Sequence, residues 1–432
     1  RNGATTLLVE KDGALGGTMT ACLVGPMMTF HSATEQVIRG LPQELVDRLV
    51  AYGASPGHIL DTSGYVATVT PFDAEGLRLM AQRMVLESGA GVLFHACVTG
   101  VEITDQRFTG VRVTSQGVER ALTAHTVVDA TGDATIAALA GAPTAYGRPE
   151  DGLVQPVSLM VKLSGWDRET FTDYVVAHPD VLRLSRHGVA PYRTEHLVAV
   201  CGFSDALQRA IAAGELGSLR REHVLFFNTH RPDEVIVNMS RVAGVNPLDP
   251  DSLSAAEIEA REQVHAIITF LRRHIPGFAS ARVAATGSRV GVRESRRIVG
   301  KVVLTASDVH EGRRWPDVIA RSAYPIDIHA PTGLSAADDP GLHDDFVSQG
   351  VTYEIPYRAL LPQSVDGLLV AGRCISTTSA AHGATRVSPS CMAFGQAAGT
   401  AAALAARSGS TPSEVNVSEL QHLLAQQGAS LA

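Results

Sequence analysis

The sequence predicts an α/β fold in which a parallel sheet of the dinucleotide-binding type is interrupted by an α+β domain. Three stretches of the 432-residue chain support this prediction. Residues 5–10, 126–133 and 368–373 are each an apolar run that ends in a charged residue, and the last two also contain a glycine near that end. Buried parallel strands are near-continuous apolar runs, and ligands bind at their carboxyl ends.

The first run ends at Glu10, a position that suits a nucleotide ribose. In dinucleotide folds an acid at this strand end accepts hydrogen bonds from ribose hydroxyls, about 20 residues after a glycine fingerprint. Only nine residues precede Glu10. We therefore expect residues 1–4 to be the end of the crossover helix, with Gly3 as its C-cap, and the first strand and its glycine loop to be missing.

Glycines follow this strand in a loop that favours close approach of the backbone to a ligand. Gly13, Gly16 and Gly17 can adopt left-handed conformations there. Glu10 alone is equally compatible with a surface carboxylate, and the glycines favour the cofactor role. The predicted cofactor contacts in this segment are Glu10, Lys11, Gly16, Gly17 and Thr18.

The second run, residues 126–133, again predicts a buried strand that ends in glycine and acid. The alternative is a simple strand-to-helix turn in which Asp133 is the helix N-cap. The two roles are compatible, because the N-terminus of a helix also binds anionic ligands. The predicted cofactor contacts are Ala130, Thr131, Gly132 and Asp133.

The third run leads into a helix with small residues along its wall. Leu368 to Val370 predict a buried strand, Gly372 predicts a turn, and Pro389 predicts the first turn of the terminal helix over about 390–407. A strand, a glycine turn and a small-faced helix let backbone amides approach an anionic ligand closely. The predicted cofactor contacts are Gly372, Arg373, Met392 and Ala393.

The order of these elements predicts a split architecture. Residues 1–150 and 326–432 build the cofactor domain, and residues 151–325 form an inserted substrate domain with its own mixed sheet. In dinucleotide folds the ligands lie in the crevice at the carboxyl ends of the parallel strands. We therefore expect the active site between these two domains.

Three helices are predicted from apolar periodicity and capping signals. One covers residues 33–52 and is interrupted at Pro42, and a second covers 73–88 with Asp73 as its cap. The third opens at Ser254, which forms a capping box with Glu257, and ends near residue 274.

Composition limits the classes of partner. The formal net charge of −8 argues against nucleic acid, and no apolar run reaches the roughly 18 residues of a spanning helix. The five cysteines are scattered, with no Cys-x-x-Cys pair, which argues against a metal or iron–sulfur site. Such thiols suit a cytoplasmic protein. The sequence predicts a small-molecule substrate and is compatible with a homo-oligomer.

Two histidines are candidates for substrate chemistry. His329 follows Asp327 by two residues, so both lie on one face if the segment is a strand, and an acid can fix a histidine tautomer for proton transfer. His382 and Arg386 stand four apart in a predicted glycine turn, where they can converge on a carboxylate or carbonyl oxygen. The alternatives are a structural histidine at 329 and a domain-contact salt bridge at Arg386.

Arg293 belongs to a dense charged run, Arg293-Glu294-Ser295-Arg296-Arg297. A charged surface strand is one interpretation. The other is that one arginine faces a pyrophosphate or an acidic substrate while Glu294 orients a neighbour. We assign Arg293 to the cofactor site.

With these residues placed, the chain resembles the FAD-dependent oxidoreductase family of the two-dinucleotide-binding-domain flavoproteins, which have a Rossmann-like FAD-binding domain. The resemblance covers nearly the whole chain. It rests on Val9-Glu10-Lys11, Leu15-Gly16-Gly17, Ala130-Thr131-Gly132-Asp133, Arg293 to Arg297, Ile355-Pro356-Tyr357-Arg358, and Gly372-Arg373 through Gly399.

This resemblance implies FAD as the cofactor and a role for several residues. It implies that Glu10 binds the adenosine ribose, that Val98 lies near adenine, and that the Thr131-Gly132-Asp133 turn lies near the phosphates. The late glycine turn of the family carries an acid for the ribityl chain, where this sequence has Arg373. We therefore expect a phosphate or flavin contact from Arg373. The helix from Pro389 would direct its N-terminus at the flavin pyrimidine edge.

The segment from His382 to Arg386 is also similar to the fumarate reductase and succinate dehydrogenase flavoprotein group, in which the arginine holds a substrate carboxylate. Our hypothesis is an FAD enzyme that moves a hydride between a small organic substrate and flavin. Arg386 and His382 would orient the substrate, and His329 or Tyr357 would handle the proton. The alternatives are a flavin-bearing electron-transfer subunit that acts with a partner protein, and a truncated chain that no longer retains FAD.

Overall fold

The computed structural model describes residues 1–105, 107–183, 188–333, 346 and 348–431. In these ranges the first strands are β1 Leu7–Val9, β2 Met27–Met28, β3 Ile59–Leu60, β4 Thr68–Thr70, β5 Gly91–Leu93, β6 Cys97–Thr104, β7 Arg107–Ser115, β8 Val118–Thr123, β9 Val127–Asp129 and β10 Thr144–Tyr146. The later strands are β11 Val161–Ser164, β12 Ala199–Gly202, β13 Val224–Asn228, β14 Glu234–Val237, β15 Arg282–Thr286, β16 Arg296–Ile298, β17 Val318–Ser322, β18 Tyr353–Pro356 and β19 Leu368–Val370.

The helices connect and cover these strands. They are α1 Thr18–Ala21, α2 Leu41–Tyr52, α3 Ala74–Glu87, α4 Thr135–Leu139, α5 Arg168–Ala177, α6 Ala190–Thr194, α7 Ser204–Ala212, α8 Pro250–His274, α9 Ala306–His310, α10 Ser379–Thr385, α11 Ser388–Ser408 and α12 Val417–Gln426.

The parallel strands are the three apolar runs of the sequence together with one more. β1 pairs in parallel with β5, and β9 pairs in parallel with β19, so that Asp129 lies opposite Val370. The α/β prediction is confirmed. Within the described residues the parallel strands form two separate pairs rather than one continuous sheet. Val9 and Val370 nevertheless pack in the same apolar cluster, so the two pairs belong to one layer of the core.

The middle of the chain is built on a five-stranded sheet in the order β12-β13-β14-β11-β15. Every neighbouring pair in it is antiparallel, so the predicted mixed sheet is wrong. Successive strands such as β13 and β14 are joined by a short turn, which permits only antiparallel pairing. The sheet and α8 enclose a core that includes Trp166, Phe171 and Phe226.

A second core forms around α11 and joins segments that the sequence analysis assigned to different domains. It combines Leu304, Ile319 and Ala320 with the buried face of α11 and with β18. β17 pairs with β18, which brings Val318 opposite Pro356. We propose that the inserted domain ends near residue 300, because the residues beyond it bury their apolar side chains against the C-terminal segment.

Several local predictions can be compared with the structure. Asp73 caps α3 as predicted, accepting from the backbone of Glu75 and Gly76. Pro42 does not interrupt α2 but lies in its first turn, where a missing N–H costs no hydrogen bond. The capping box at Ser254 is wrong, because α8 begins at Pro250 with Asp249 as its N-cap.

Three predictions in the terminal segments also need correction. Residues 1–4 lie outside any helix or strand. The helix predicted over about 390–407 is present as α11, which carries Pro389 in its first turn, but it is followed by α12. The segment from His382 to Thr385 is helical rather than a glycine turn, since it forms the second half of α10.

Candidate functional site

The turn after β9 is held by the buried carboxylate of Asp129. This carboxylate accepts from the backbone N–H and the hydroxyl of Thr131, at 3.0 and 2.7 Å, and from the N–H of Ala137 in α4, at 3.0 Å. Gly132 has a φ of +79°, a backbone conformation that favours glycine. Asp129 therefore fixes the position of residues 130–133, a function that the sequence analysis did not identify.

Asp133 lies at the centre of a small polar network. Its Oδ1 accepts from the hydroxyl of Ser295 and from Nη2 of Arg373, each at 2.6 Å. Burial raises the pKa of Asp133, but the Arg373 charge and these hydrogen bonds outweigh it and hold the pKa below its usual value. The N-cap role is wrong, because Ala134 occupies the N-cap position of α4. We call Asp133, Ser295 and Arg373 the Asp133 network.

Electrostatic interactions connect the end of β1 with the start of α11 through this network. The positive charge of Lys11 also lowers the pKa of Asp133. Arg373 in turn acts on Cys391 in the first turn of α11, whose pKa burial raises to about 12. The carboxylate of Glu10 accepts from the N–H of Asp12 at 2.9 Å. Lys11 at the strand end and Cys391 at the helix start are therefore both within electrostatic range of the Asp133 network.

Four glycines in the elements predicted to bind the cofactor leave free space beside the backbone. Gly17 and Gly372 have φ values of +55° and +85°, and an added Cβ at either position would meet no atom within 4 Å. The same space is free at Gly395 and Gly399, on the wall of α11. Together with the N–H groups at the start of α11, these features fit an elongated anionic dinucleotide.

The other predicted cofactor residues lie around this open backbone. Gly16 has a φ of +109°, and Thr18 begins α1. Val98 is half-buried in β6, in the same apolar cluster as Val9. Met392 is half-buried and packs against the N-terminal helices. The contacts of these residues with a cofactor stay a prediction.

A second group of polar side chains surrounds Asp327, between the five-stranded sheet and α10. Oδ2 of Asp327 accepts from Nη2 of Arg386 at 3.0 Å and from the hydroxyl of Tyr324 at 3.2 Å. Its Oδ1 lies 3.6 Å from Nε2 of His329. The segment that carries Asp327 and His329 was predicted to be a strand and is not one. The two side chains nevertheless lie close together. We call Arg221, Arg241, Arg293, Tyr324, Asp327, His329 and Arg386 the Asp327 cluster.

The hydrogen bonds of His329 define its tautomer. Nη2 of Arg241 lies 3.2 Å from Nδ1 of His329, and a guanidinium group can only donate. Nδ1 is therefore the acceptor, and the ring proton is on Nε2, which faces Asp327. Burial lowers the pKa of His329 far below its usual value; Asp327 opposes this shift, and nearby arginines including Arg293 add to it. His329 is neutral at neutral pH.

Three further arginines approach Asp327 from the middle of the chain. Arg221 and Arg241 are 6% and 3% exposed. Burial, followed by the charge of Arg241, lowers the pKa of Arg221 to about 9. Arg293 donates from Nη1 to the carbonyl of Pro156 and to the hydroxyl of Ser158, each at 2.8 Å. Arg293, which the sequence analysis assigned to the cofactor site, thus lies in the Asp327 cluster.

Two predicted catalytic residues do not join this cluster directly. His382 is fully buried, and its Nε2 donates to the carbonyl oxygen of Arg293 at 3.0 Å, while its Nδ1 has no partner among the described residues. Burial lowers the pKa of His382 far below its usual value. Tyr357 is buried in the core around α11, where its hydroxyl donates to the carbonyl of Pro412 at 2.8 Å. The structure does not bring Tyr357 to Arg386.

The sequence analysis missed Arg221, Arg241 and Tyr324. Tyr324 precedes Asp327 by three residues, and this spacing was the only local signal. Arg221 and Arg241 are separated from Asp327 by more of the chain, in segments without a recognisable motif. Only the packing of the middle sheet against the C-terminal segment brings them close.

The described ranges contain neither a membrane-spanning helix nor a cluster of metal ligands. No helix there has both the length and the apolar character needed to cross a membrane. No group of three or more His, Cys, Asp or Glu side chains in those ranges is arranged to hold a metal ion.

Parallel strands that end in glycine turns are typical of a dinucleotide-binding protein. The chain belongs to the FAD dependent oxidoreductase family, whose model matches residues 1–424. Its cofactor is accordingly FAD, as predicted, and it is an enzyme whose substrate the family does not define. No curated protein matches the chain significantly.

Three solved structures with a similar backbone are two flavoproteins and a reductase-like protein. A triple mutant of the flavin-dependent brominase Bmp2 matches with a TM-score of 0.46 and 12% identity, covering 98% of this chain and 79% of that one. A geranylgeranyl bacteriochlorophyll reductase-like protein from Thermoplasma acidophilum matches with a TM-score of 0.44 and 12% identity, over 99% and 78%. The myxobacterial chondrochloren halogenase CndH matches with a TM-score of 0.42 and 13% identity, over 97% and 78%.

Proposed function

We propose that this enzyme transfers a hydride between a small organic substrate and FAD, and that the substrate lies at the Asp327 cluster. The observation that carries the proposal is the position of Arg386. Its guanidinium belongs to the cluster through Asp327, and its charge also acts on Cys391 in the first turn of α11. Arg386 thus connects the proposed substrate site with the helix start that suits the cofactor.

The residues proposed to hold FAD are those around the open backbone described above. Glu10 would bind the adenosine ribose, the turn from Thr131 to Asp133 would lie at the phosphates with Arg373 beside it, and the N-terminus of α11 would favour negative charge on the flavin. FAD, when bound, supplies the group that accepts or donates the hydride. The remaining roles belong to the side chains of the cluster.

Arg386 is proposed to orient the substrate. Its Nη2 is engaged by Asp327, whereas its buried Nε has no hydrogen-bond partner among the described residues. A buried N–H of a charged group that lacks an acceptor is costly, and a substrate oxygen would supply one. Asp327 is thereby a positioning residue that holds the guanidinium through Nη2.

The His329–Asp327 pair is proposed to handle the proton of the reaction. Arg241 occupies the lone pair of Nδ1, so the neutral ring offers only its Nε2–H, which donates a hydrogen bond, and the carboxylate of Asp327 is the group of the pair that can accept a proton from the substrate. Burial lowers the pKa of the ring, Asp327, 3.6 Å from Nε2, raises it, and the arginines lower it further. The pair therefore keeps a neutral imidazole with a defined N–H beside Arg386.

The test is anaerobic reduction and reoxidation of the FAD-loaded protein by a panel of small donors and acceptors, with no partner protein added. We expect Arg386→Ala to retain flavin and to lose about 100-fold or more in turnover, the usual scale for a lost positioning or proton-transfer group. Arg358→Ala is the matched control, because Arg358 forms a similar ion pair with Asp317 elsewhere. Loss of flavin from Arg386→Ala would assign Arg386 to the cofactor instead, and reduction only with a partner protein would favour the electron-transfer alternative.

A further inference from the structure

The Asp327 cluster holds more positive than negative charge. Its four arginines face two carboxylates within the described residues, those of Asp327 and of Glu222, which lies 3.6 Å from Arg241. Arginine remains protonated in proteins at neutral pH, so counted over the described residues the cluster has an excess of two positive charges. The neighbouring Arg297 does not change this balance, because it is paired with Glu294 at 2.7 Å.

The excess charge lies in a region that is poorly exposed to water. Among the described residues Arg293 forms no ion pair, and its Nη1 donates to a carbonyl and a hydroxyl oxygen. Its pKa is lowered far below the usual value by burial and by the charges of Arg241 and Arg386. Buried charges of one sign that are not compensated destabilise a fold, and proteins retain them where a ligand supplies the opposite charge.

Unpartnered donors in and beside the cluster indicate the kind of group that would compensate it. Nη1 of Arg221 and Nε of Arg386 are buried and have no acceptor among the described residues. The same holds for Nε2 of Gln155, whose Oε1 accepts from the N–H of His329 at 3.1 Å. These three atoms can only donate hydrogen bonds, so the missing partner is an acceptor.

From the charge excess and these unpartnered donors we infer that the substrate is a small dianion, with Arg221 and Arg293 binding one anionic group and Arg386 orienting the other. This inference rests on the proposed function, because it places the substrate in the same cluster. The shared chemistry is two negative charges with oxygen acceptors, as in a dicarboxylate or a phosphate ester. A neutral substrate would leave both the excess charge and the donors uncompensated.

The experiment measures anion binding by the FAD-loaded protein with calorimetry and thermal unfolding, neither of which requires turnover. The probes are malonate and inorganic phosphate as dianions, acetate as a monoanion and malonamide as a neutral analogue, at constant ionic strength. We expect malonate or phosphate to bind about tenfold or more tightly than acetate, and malonamide not to bind. Arg221→Gln and Arg293→Gln should each weaken dianion binding about tenfold, and the control Arg358→Gln should change it less than about twofold.

Several outcomes would overturn the inference. Equal stabilisation by malonate and by sodium chloride would do so, as would equal affinity in the unmodified chain and in Arg221→Gln. If apo protein bound the dianions and FAD loading abolished this, the arginines would serve the cofactor phosphates. Asp338, Asp339, Asp344 and Asp345 lie outside the described residues; much tighter dianion binding after their replacement by Asn would show that the chain supplies its own counter-charge.

The inference and the proposed function fail in different ways. Arginine-dependent dianion binding without any flavin reduction by a small donor would retain the anion site and reject hydride transfer at it. Flavin reduction by a neutral donor, with turnover unchanged in Arg221→Gln and Arg293→Gln, would retain the oxidoreductase mechanism and reject the dianionic substrate.

Discussion

The Asp133 network and the Asp327 cluster are both built from arginines and carboxylates, but only one of them is balanced. In the Asp133 network one carboxylate accepts from Ser295 and from one guanidinium, Arg373. In the Asp327 cluster, within the part of the chain that the structure describes, four guanidinium groups face two carboxylates, and Arg221 and Arg386 each have a buried N–H without an acceptor there. The first is complete without a ligand, and the second is not.

This difference suits the Asp133 network to holding a turn in place and the Asp327 cluster to binding a substrate. A satisfied network keeps its geometry at little cost, so Asp133 and Arg373 can fix the turn after β9 whether or not a cofactor is bound. An unsatisfied cluster of buried like charges destabilises the fold, and a ligand of opposite charge removes this destabilisation. The comparison therefore predicts that changes in the two regions will have different consequences for flavin, for anions and for turnover.

The largest effect is expected from Asp327→Asn. The amide keeps the shape of the side chain but no longer holds Arg386 by charge or supports the His329 ring, so turnover should fall by about 100-fold or more. The same change increases the excess positive charge of the cluster, so malonate binding should be retained or become tighter. Steady-state kinetics and calorimetry on the same preparation measure the two effects.

Asp317→Asn is the control for that variant, because Asp317 is a poorly exposed carboxylate paired with Arg358. Asp317→Asn should be less stable than the unmodified chain. It should not combine a loss of turnover with retained or tighter malonate binding. If Asp327→Asn lowered both turnover and malonate affinity, the comparison between the two regions would be wrong, because the cluster would then behave as a balanced structural network.

A smaller effect is expected from Arg373→Ala. This change leaves the carboxylate of Asp133 without its cation, next to the turn where the FAD phosphates are expected, so FAD affinity should fall about tenfold, or about 1.4 kcal/mol. Arg373→Lys should restore part of it, since the charge is retained. Quenching of FAD fluorescence on binding gives the affinity. Unchanged FAD affinity, or weaker malonate binding, would contradict the separation of the two regions.

Arg241→Gln tests the electrostatic state of the Asp327 cluster through pH. Burial and the arginines lower the pKa of His329. In the unmodified chain the ring therefore stays neutral at acidic pH values at which an ordinary histidine, with a pKa of about 6.5, gains a proton. Removing the Arg241 charge and its hydrogen bond to Nδ1 should raise the pKa of His329. The measurement is an NMR titration of the ring proton, assigned with His329→Gln, and Arg358→Gln should leave it unchanged.

The sign of the stability effect follows from the same shift. A histidine with a lowered pKa in the folded state binds fewer protons than in the unfolded state at acidic pH. Its contribution to stability is therefore present above about pH 6.5 and is lost as the pH falls. The pH dependence of unfolding in this range should be weaker in Arg241→Gln than in the unmodified chain. An equal or steeper dependence would contradict the assigned cause.

The sequence predicted features that depend on neighbouring residues and missed those that depend on packing. The strand at Val127–Asp129 and the start of α11 at Pro389 follow from local apolar runs and from proline geometry. The pairing of Asp133 with Arg373 joins residues 240 positions apart, and no local pattern encodes it. The same limit applies to Arg241 and His329, which only the contact between the middle sheet and the C-terminal segment brings together.

Gly383 led to the prediction of a turn where the structure has a helix. The glycine was interpreted as a turn residue, whereas it lies inside α10. An added Cβ there would lie 2.7 Å from the carbonyl oxygen of Asp327, so the glycine permits α10 to pack directly against the backbone that carries the cluster. Glycine inside a helix is disfavoured but tolerated where close approach requires it. Sequence alone does not distinguish these two uses of glycine.

The smallest effect is expected from Asp73→Ala, which lies outside both regions. Asp73 accepts from the N–H groups of Glu75 and Gly76 at 2.8 and 3.0 Å, and loss of such a cap costs about 1 kcal/mol of unfolding free energy. Chemical denaturation gives this value, and Asp73→Asn should retain most of the stability because the amide oxygen still accepts. FAD affinity and malonate affinity should be unchanged. A loss of either in Asp73→Ala would show that ordinary destabilisation mimics the changes expected at Arg373 and Arg221, and those variants would then have to be compared at equal stability.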